Sequence, residues 1–396
     1  MLNTIEQIEI SEFLVNMKAI LKQRSEQLRI LKQLALDSKG FYTKLEEVLK
    51  ELEIYKHVDF IDAKPNNFDL YEEIVNTFCN DYFTKLGNLD IHGLKKNLMN
   101  YGNNPIHIVD RVKTQNLTSF DGTVLDVFSY GDIENSPIII ALPTGLPMLI
   151  MKPWIELLAN RYFVITWETR GMSKSSTTKQ LDIPSQLEDL KNVIKLFNLE
   201  RVHLFGVCHG ANLVLNACNE IDSKVISASL WHGDFNWNDN NKLTYIQQNM
   251  KRLLEMAGNQ INISDLRNLM TNPKSIGTLS TDYPIKNLPH IMYPYLNDEI
   301  FSSFIKLSKD VMNRNLKEIV DKLNKKILIV TSSNDKTAHP EGSVLLHSLL
   351  KESEFYNREF GSHISFFEAP EELYSLFSNF YENSLAYSLK QENNFI

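Results

Sequence analysis

Over the first 112 residues the apolar side chains recur at intervals of three and four. In ISEFLVNMKAILKQRSEQLRILKQLAL, the positions Phe13, Leu14, Met17, Ile20, Leu21, Leu28 and Leu31 form one stripe with charged residues between them, the period of an amphipathic helix. FYTKLEEVLKELEIY continues the pattern, which stops near the turn-rich NYGNNPIH. These residues predict a helical N-terminal domain over 1–112. From about residue 115 the pattern changes to alternating strands and helices. VKTQNLTSF and TVLDVFSYG flank Asp121-Gly122, a pair that favours a tight hairpin because glycine accepts positive φ. PIIIAL, YFVITWE, RVHLFGV, KVISASLW and KKILIVTSS are continuous apolar runs of strand length. Between them lie helical segments such as SQLEDLKNVIKLFNL, with Leu187, Leu190, Ile194 and Phe197 on one face. Apolar strands separated by helices predict an α/β fold whose mostly parallel sheet is covered on both faces. This core takes up residues 113–232 and 323–396. Residues 233–322 break the rhythm with LTYIQQNMKRLLEMAG and the Pro- and Tyr-rich DYPIKNLPHIMYPYLND. A structureless loop of that length does not suit a compact domain, so the segment is expected to be a helical lid insertion.

Composition narrows the partners. The chain has 396 residues, a net charge of −8 and a pI near 5.7, which argues against nucleic acid or an anionic membrane as the main partner. The N-terminus lacks the basic-then-apolar pattern of a secretory signal. No stretch approaches the roughly 20 apolar residues of a membrane span, so a cytoplasmic location is expected. Cys79, Cys208 and Cys218 show no metal-type pairing, which predicts free thiols, no metal and no cofactor.

The chemistry concentrates in RVHLFGVCHGANLVLNACNE. A buried strand runs into a helix through Gly206-Val207-Cys208-His209-Gly210, the pattern of a nucleophile elbow. There a sharp turn exposes the central side chain, and glycines two before and two after relieve crowding. Cys208 is the candidate nucleophile; the bland alternative is a small buried cysteine in an ordinary strand-to-helix turn. Cys218, on the following helix, reads as core. A thiol needs a base and the base needs an orienting acid. ILIVTSSNDKTAHP offers Asp335 after one strand and NREFGSHISFF offers His363 after the next. Asp234, in WHGDF, is a rival acid. His339 lies too near Asp335 to be the base, His232 and His203 read as structural, and His209 matters for its backbone amide. The oxyanion needs two donors: the His209 amide, and one from Pro143-Thr144-Gly145-Leu146-Pro147. Pro143 has no N–H, which leaves Thr144, Gly145 or Leu146, with Gly145 preferred.

On the elbow, the order of nucleophile, acid and histidine, and WETRGMSKSS, residues 115 to 385 resemble the α/β-hydrolase superfamily. WETRGMSKSS is similar to the family's D-x-R-G-x-G-x-S, with Glu168 and Met172 as departures. The resemblance implies a Cys208, His363, Asp335 triad beneath a helical lid. Within the superfamily, cysteine elbows resemble those of cyclases and thioesterases that release polyketide or peptide chains, of polyhydroxyalkanoate synthases and, at a much shorter chain length, of dienelactone hydrolases.

Thiol chemistry adds a further expectation. Moving an acyl group from a thioester onto Cys208 makes another thioester of nearly equal energy, so the group stays activated, and a lid that excludes water would protect it. The leading expectation is an acyl-transfer enzyme acting on a carrier-protein- or CoA-bound thioester and resolving its acyl-Cys208 by transfer or Dieckmann-type cyclisation. The alternatives are a thioesterase or esterase, a polyester synthase, or a non-catalytic binding module. Tyr283, Tyr293 and Tyr295 are expected either to line an acyl channel or to pack the lid. The N-terminal helices are candidates for a homodimer contact, a carrier-protein dock or an extension of the cap.

Overall fold

A computed structural model describes residues 26–33, 40–83, 113–172, 180–237, 242–258, 261–272, 287–314 and 316–393, with isolated positions between 14 and 24 and at 178 and 239. The expected boundary at NYGNNPIH, the side chain of Cys79, Phe13 and Tyr283 lie outside the described residues. The chain divides into two units, Met1–Val109 with Asn262–Phe301, and Asp110–Ile261 with Ser302–Ile396. The 233–322 insertion is therefore not one body: its middle belongs with the N-terminal region. Among the described residues no helix is long and apolar enough to cross a membrane.

The first unit is not purely helical. Strand β1 (Leu28–Leu31) pairs in parallel with β2 (Val58–Ile61), beside helices α1 (Phe41–Glu51) and α2 (Leu70–Phe83). Leu28 and Ile30 point into the core, a period of two, where the helical stripe placed Leu28 and Leu31 on one face. Four-residue strands are too short to assert that period against the helical spacing around them. The pair is held by α2. Asn76 accepts from the Leu31 amide at 2.7 Å and donates to the Arg29 carbonyl at 2.9 Å, which satisfies groups that the two-stranded pairing leaves open. Asp69 and Glu72 cap α2 reciprocally, each side chain accepting the other's amide, a capping box with aspartate at its head. Glu72, almost fully buried, also takes the Arg29 guanidinium through both its oxygens. Tyr293 is buried, and Tyr295 packs on Phe301 with ring centroids 5.6 Å apart.

The second unit is built on an eight-stranded sheet in the order β10-β9-β8-β7-β5-β6-β4-β3. Its strands are β3 (Lys113–Thr118), β4 (Val124–Tyr130), β5 (Pro137–Ala141), β6 (Phe163–Trp167), β7 (Val202–Val207), β8 (Val225–Trp231), β9 (Lys326–Ser332) and β10 (Ser353–Arg358). β3 and β4 form the expected antiparallel hairpin, with Gly122 at φ 84° in its turn. β4 runs antiparallel to β6, and every other pairing is parallel. Every residue of β6 and β7 is buried, as both-face coverage requires. The helices of this unit include α3 (Lys152–Leu158), α4 (Ile183–Leu196), α5 (His209–Glu220), α6 (Tyr245–Gly258), α7 (Pro340–Leu349) and α8 (Glu371–Asn393). His203, near the start of β7, hydrogen-bonds Ser227 and Ser229 of β8, each at 2.9 Å. Burial drives its pKa down to about 3, so it is a neutral core residue.

Arg170 of the WETRG segment has a structural task. Its side chain is fully buried and donates to both Asp189 oxygens at 2.7 Å, to Asp121 at 3.0 Å and to the Gln180 carbonyl at 2.7 Å. One guanidinium thus ties the loop after β6 to α4 and to the β3–β4 hairpin. Asp189→Ala leaves this cation buried without its main partner and is expected to cost about 3–5 kcal/mol. The fall in the urea unfolding midpoint at constant slope measures it.

Candidate active site

β7 ends at Val207 and α5 begins at His209, so Cys208 alone makes the turn, with φ 52° and ψ −120°. A positive φ on a residue with a side chain costs on the order of 1–3 kcal/mol and persists only where the surroundings impose it. The surroundings here are two glycines. A Cβ on Gly206 would lie 2.7 Å from the Ala211 Cα, and one on Gly210 would fall on the Ala141 and Leu142 carbonyl oxygens. Strand and helix therefore approach as closely as backbone allows, and the start of α5 rests against the end of β5. The Cys208 amide is anchored to the Trp231 carbonyl at 3.0 Å, while the residue stays partly exposed.

Asp335 follows β9 and is 5% exposed, yet its carboxylate is fully partnered. One oxygen accepts from the Thr337 and Ala338 amides at 2.8 and 2.9 Å. The other accepts from Nδ1 of His363 at 2.9 Å and Nδ1 of His232 at 2.8 Å. A carboxylate only accepts, so both rings carry their proton on Nδ1. This leaves Nε2 of His363 outside the Asp335 contact, and Cys208 acts on the ring alongside Asp335. Burial alone would strip the charge from His363, but Asp335 and then Cys208 override it and hold its pKa well above the ordinary histidine value. Burial likewise opposes the Asp335 charge, and the two histidines outweigh it and keep Asp335 well below the usual carboxylate range. The loop that carries His363 turns through Gly361 at φ 118°. It is pinned by Arg358, which bonds Glu372 at 2.7 Å and Ser365 at 3.1 Å.

His232 was expected to be structural. It shares the Asp335 oxygen, has φ 49° and is fully buried, with Nε2 unpartnered; burial, partly offset by Asp335, keeps its pKa low. Only the sheet register brings it there, since its amide bonds the Val330 carbonyl of the neighbouring strand at 2.8 Å. Asp234, the rival acid, does not reach His363. Its carboxylate meets Nε2 of His209 at 3.0 Å, so the His209 ring, like its amide, sits at the site. His339 caps α7, accepting from the Glu341 amide at 3.3 Å. In the loop after β5 the Leu146 amide is spent on the Pro143 carbonyl at 3.1 Å. Gly145, at φ 83°, holds the third position of that turn, as a type II turn demands. Of the three candidate amides this leaves those of Thr144 and Gly145; the His209 amide opens a helix and has no partner within it. Glu168, the departure in WETRG, accepts from the Met148 amide at 3.1 Å and so fixes the far end of this loop. Burial pushes its pKa up to about 7.

Among the described residues, His232, Asp335 and His363 are the one cluster of donors able to hold a metal ion. Both histidines direct their Nδ1 protons at one carboxylate oxygen, so these donor atoms are already committed to each other as a hydrogen-bond network.

A family model for the alpha/beta hydrolase fold matches residues 139–370, more than half of the chain. The chain belongs to the α/β-hydrolase family. Among solved structures, this α/β hydrolase is similar to an esterase from Exiguobacterium antarcticum, at TM-score 0.56 and 18% identity over 68% of this chain and 99% of that one. It is likewise similar to the enol-lactonase from Burkholderia xenovorans LB400, at TM-score 0.54 and 13% identity over 68% and 100%. At these identities the likeness is one of fold. In sequence, 95 residues are 27% identical to 3-oxoadipate enol-lactonase 1 of Acinetobacter baylyi, covering 24% of this chain and 35% of that protein.

Asp335→Asn removes the largest influence that raises His363 and leaves Cys208 alone against burial. The His363 imidazolium should then survive only at lower pH than in the wild type, seen as a downward move of its NMR titration midpoint. Any acyl cleavage that uses this pair should lose about 10³–10⁴-fold in kcat/KM.

Proposed function

We propose that this α/β hydrolase cleaves activated acyl esters or thioesters through a covalent S-acyl intermediate on Cys208. The observation that carries the reading is Cys208 at the strained elbow together with a buried His363 whose Nδ1 rests on Asp335 and whose pKa Asp335 and Cys208 raise. The esterase and enol-lactonase names of its relatives support the hydrolytic form.

The steps follow from the geometry. With the thiol proton on His363 Nε2, the Cys208 sulfur attacks the acyl carbonyl, and its electron pair forms the C–S bond. The carbonyl oxygen becomes an oxyanion, received by the His209 amide and by one amide of the Thr144-Gly145 turn; each such donor is worth about 10²–10³ in rate. Collapse expels the leaving thiolate or alkoxide, which takes the proton from Nε2. His363 is then neutral and removes a proton from an incoming water, whose oxygen attacks the acyl carbon. The carboxylic acid departs, and the sulfur and the Nε2 proton return to their starting places. Asp335 stays ionised throughout, since four hydrogen bonds favour its charged form.

A second reading keeps the first half and replaces water with an alcohol, amine or carbon nucleophile, including Dieckmann-type cyclisation of a carrier- or CoA-bound chain. The thiol itself favours it, because an acyl thioester remains activated toward such acceptors. Product analysis with acyl-CoA and p-nitrophenyl ester substrates, with and without an added amine, separates the two. Free acid as the product, falling at least about 10³-fold in Cys208→Ala, is expected. Acid release unchanged in Cys208→Ala would overturn the proposal, and amide or cyclic product in place of acid would select the second reading.

A further inference from the structure

The residue after Cys208 brings a carboxylate partner of its own. His209 is buried, and Nε2 of its ring lies 3.0 Å from Oδ2 of Asp234. Asp234 is fixed on every side. Its other carboxylate oxygen accepts from the Gln247 amide, its carbonyl accepts from Asn212 at 2.9 Å, and its amide donates to the Cys208 carbonyl at 3.5 Å. Gln247, buried at the start of α6, is in turn held by the Thr244 amide at 2.8 Å and the His339 amide at 3.2 Å. The Cys208, His363, Asp335 chemistry uses none of this. Burying a histidine and a carboxylate together is costly unless geometry compensates, and here an ordered shell reaching to the Asp335 loop supplies that geometry.

We infer that the His209 ring is a fixed imidazolium that places a positive charge beside the Cys208 sulfur, separate from the proton that His363 transfers. The groups acting on it are Asp234, Cys208 and His363. Burial works against its charge, the bond to Asp234 and the neighbouring Cys208 favour it, His363 opposes it, and the sum raises its pKa. His209 is thus a positioning residue. It stabilises negative charge at the sulfur before attack and beside the oxyanion afterwards, and its Nε2–H, locked on Asp234, does not take part in proton transfer. Two imidazoles rest on two separate carboxylates, and Cys208 acts on both electrostatically: one moves a proton, the other holds a charge.

The inference rests on Cys208 being the nucleophile, and charge discrimination tests the two apart. Iodoacetamide and iodoacetate alkylate thiolates alike in size but differ in charge, so the ratio of their rates at Cys208 reports the local field. In the full-length protein at fixed pH, His209→Gln keeps an N–H donor for Asp234 and removes the charge. The iodoacetate to iodoacetamide ratio should fall about five- to tenfold, as expected for one charge at close range in a partly buried site. A ratio equal to wild type overturns the inference even if both rates drop, since a merely structural role moves both alike. Should His209→Gln not fold, the ring ¹⁵N shifts of His209 in the wild type decide: both nitrogens protonated at neutral pH supports the inference, a neutral tautomer overturns it. If neither reagent modifies Cys208 in the wild type, the nucleophile reading falls and takes this one with it.

Discussion

Everything at the site depends on how closely β7 and α5 approach each other. With no Cβ at Gly206 or Gly210, the helix settles against the strand it leaves and against the end of β5. The one residue between them must then reverse the chain in a region of φ that costs a residue with a side chain on the order of 1–3 kcal/mol. That strain is what puts the Cys208 sulfur at the C-terminal edge of the sheet. The parallel order of β8, β9 and β10 delivers Asp234, Asp335 and His363 to that edge from three successive loops. The fold thus converts a backbone constraint into a chemical one.

Electrostatics takes over where the backbone stops. The site is buried enough that each charge needs a partner, and each has one. Asp335 receives four hydrogen bonds, two from backbone and two from histidines, and so cannot compete for the proton it orients. Asp234 is similarly committed to His209 and Gln247. Such shells leave the reacting groups little freedom, and preorganisation of this kind lowers the reorganisation required during reaction.

The legible part of the chain was the part whose signals are local. The elbow is five consecutive residues, and its glycines report their own reason for being there. Asp335 and His363 could be named from chain order, because a parallel sheet places the loops after successive strands at one edge. The contacts of His232 and His209 could not. His232 meets a carboxylate 103 residues away, and which of Asp234 and Asp335 reaches which ring depends on strand register and on a left-handed backbone at His232. The N-terminal strands failed for another reason: β1 and β2 are four residues each, and their parallel pairing depends on Asn76 and the Arg29–Glu72 pair rather than on any pattern within them. The division of the 233–322 segment between two units is equally a matter of long-range packing.

The central claim is that an acyl group resides on Cys208 during turnover. Intact-mass analysis of the protein quenched in acid during turnover of an acyl thioester tests it directly. The account predicts a mass increase equal to the acyl group, mapped to the peptide bearing Cys208 and missing in Cys208→Ala. Turnover with no adduct, or an adduct of the same size that persists in Cys208→Ala, would contradict it.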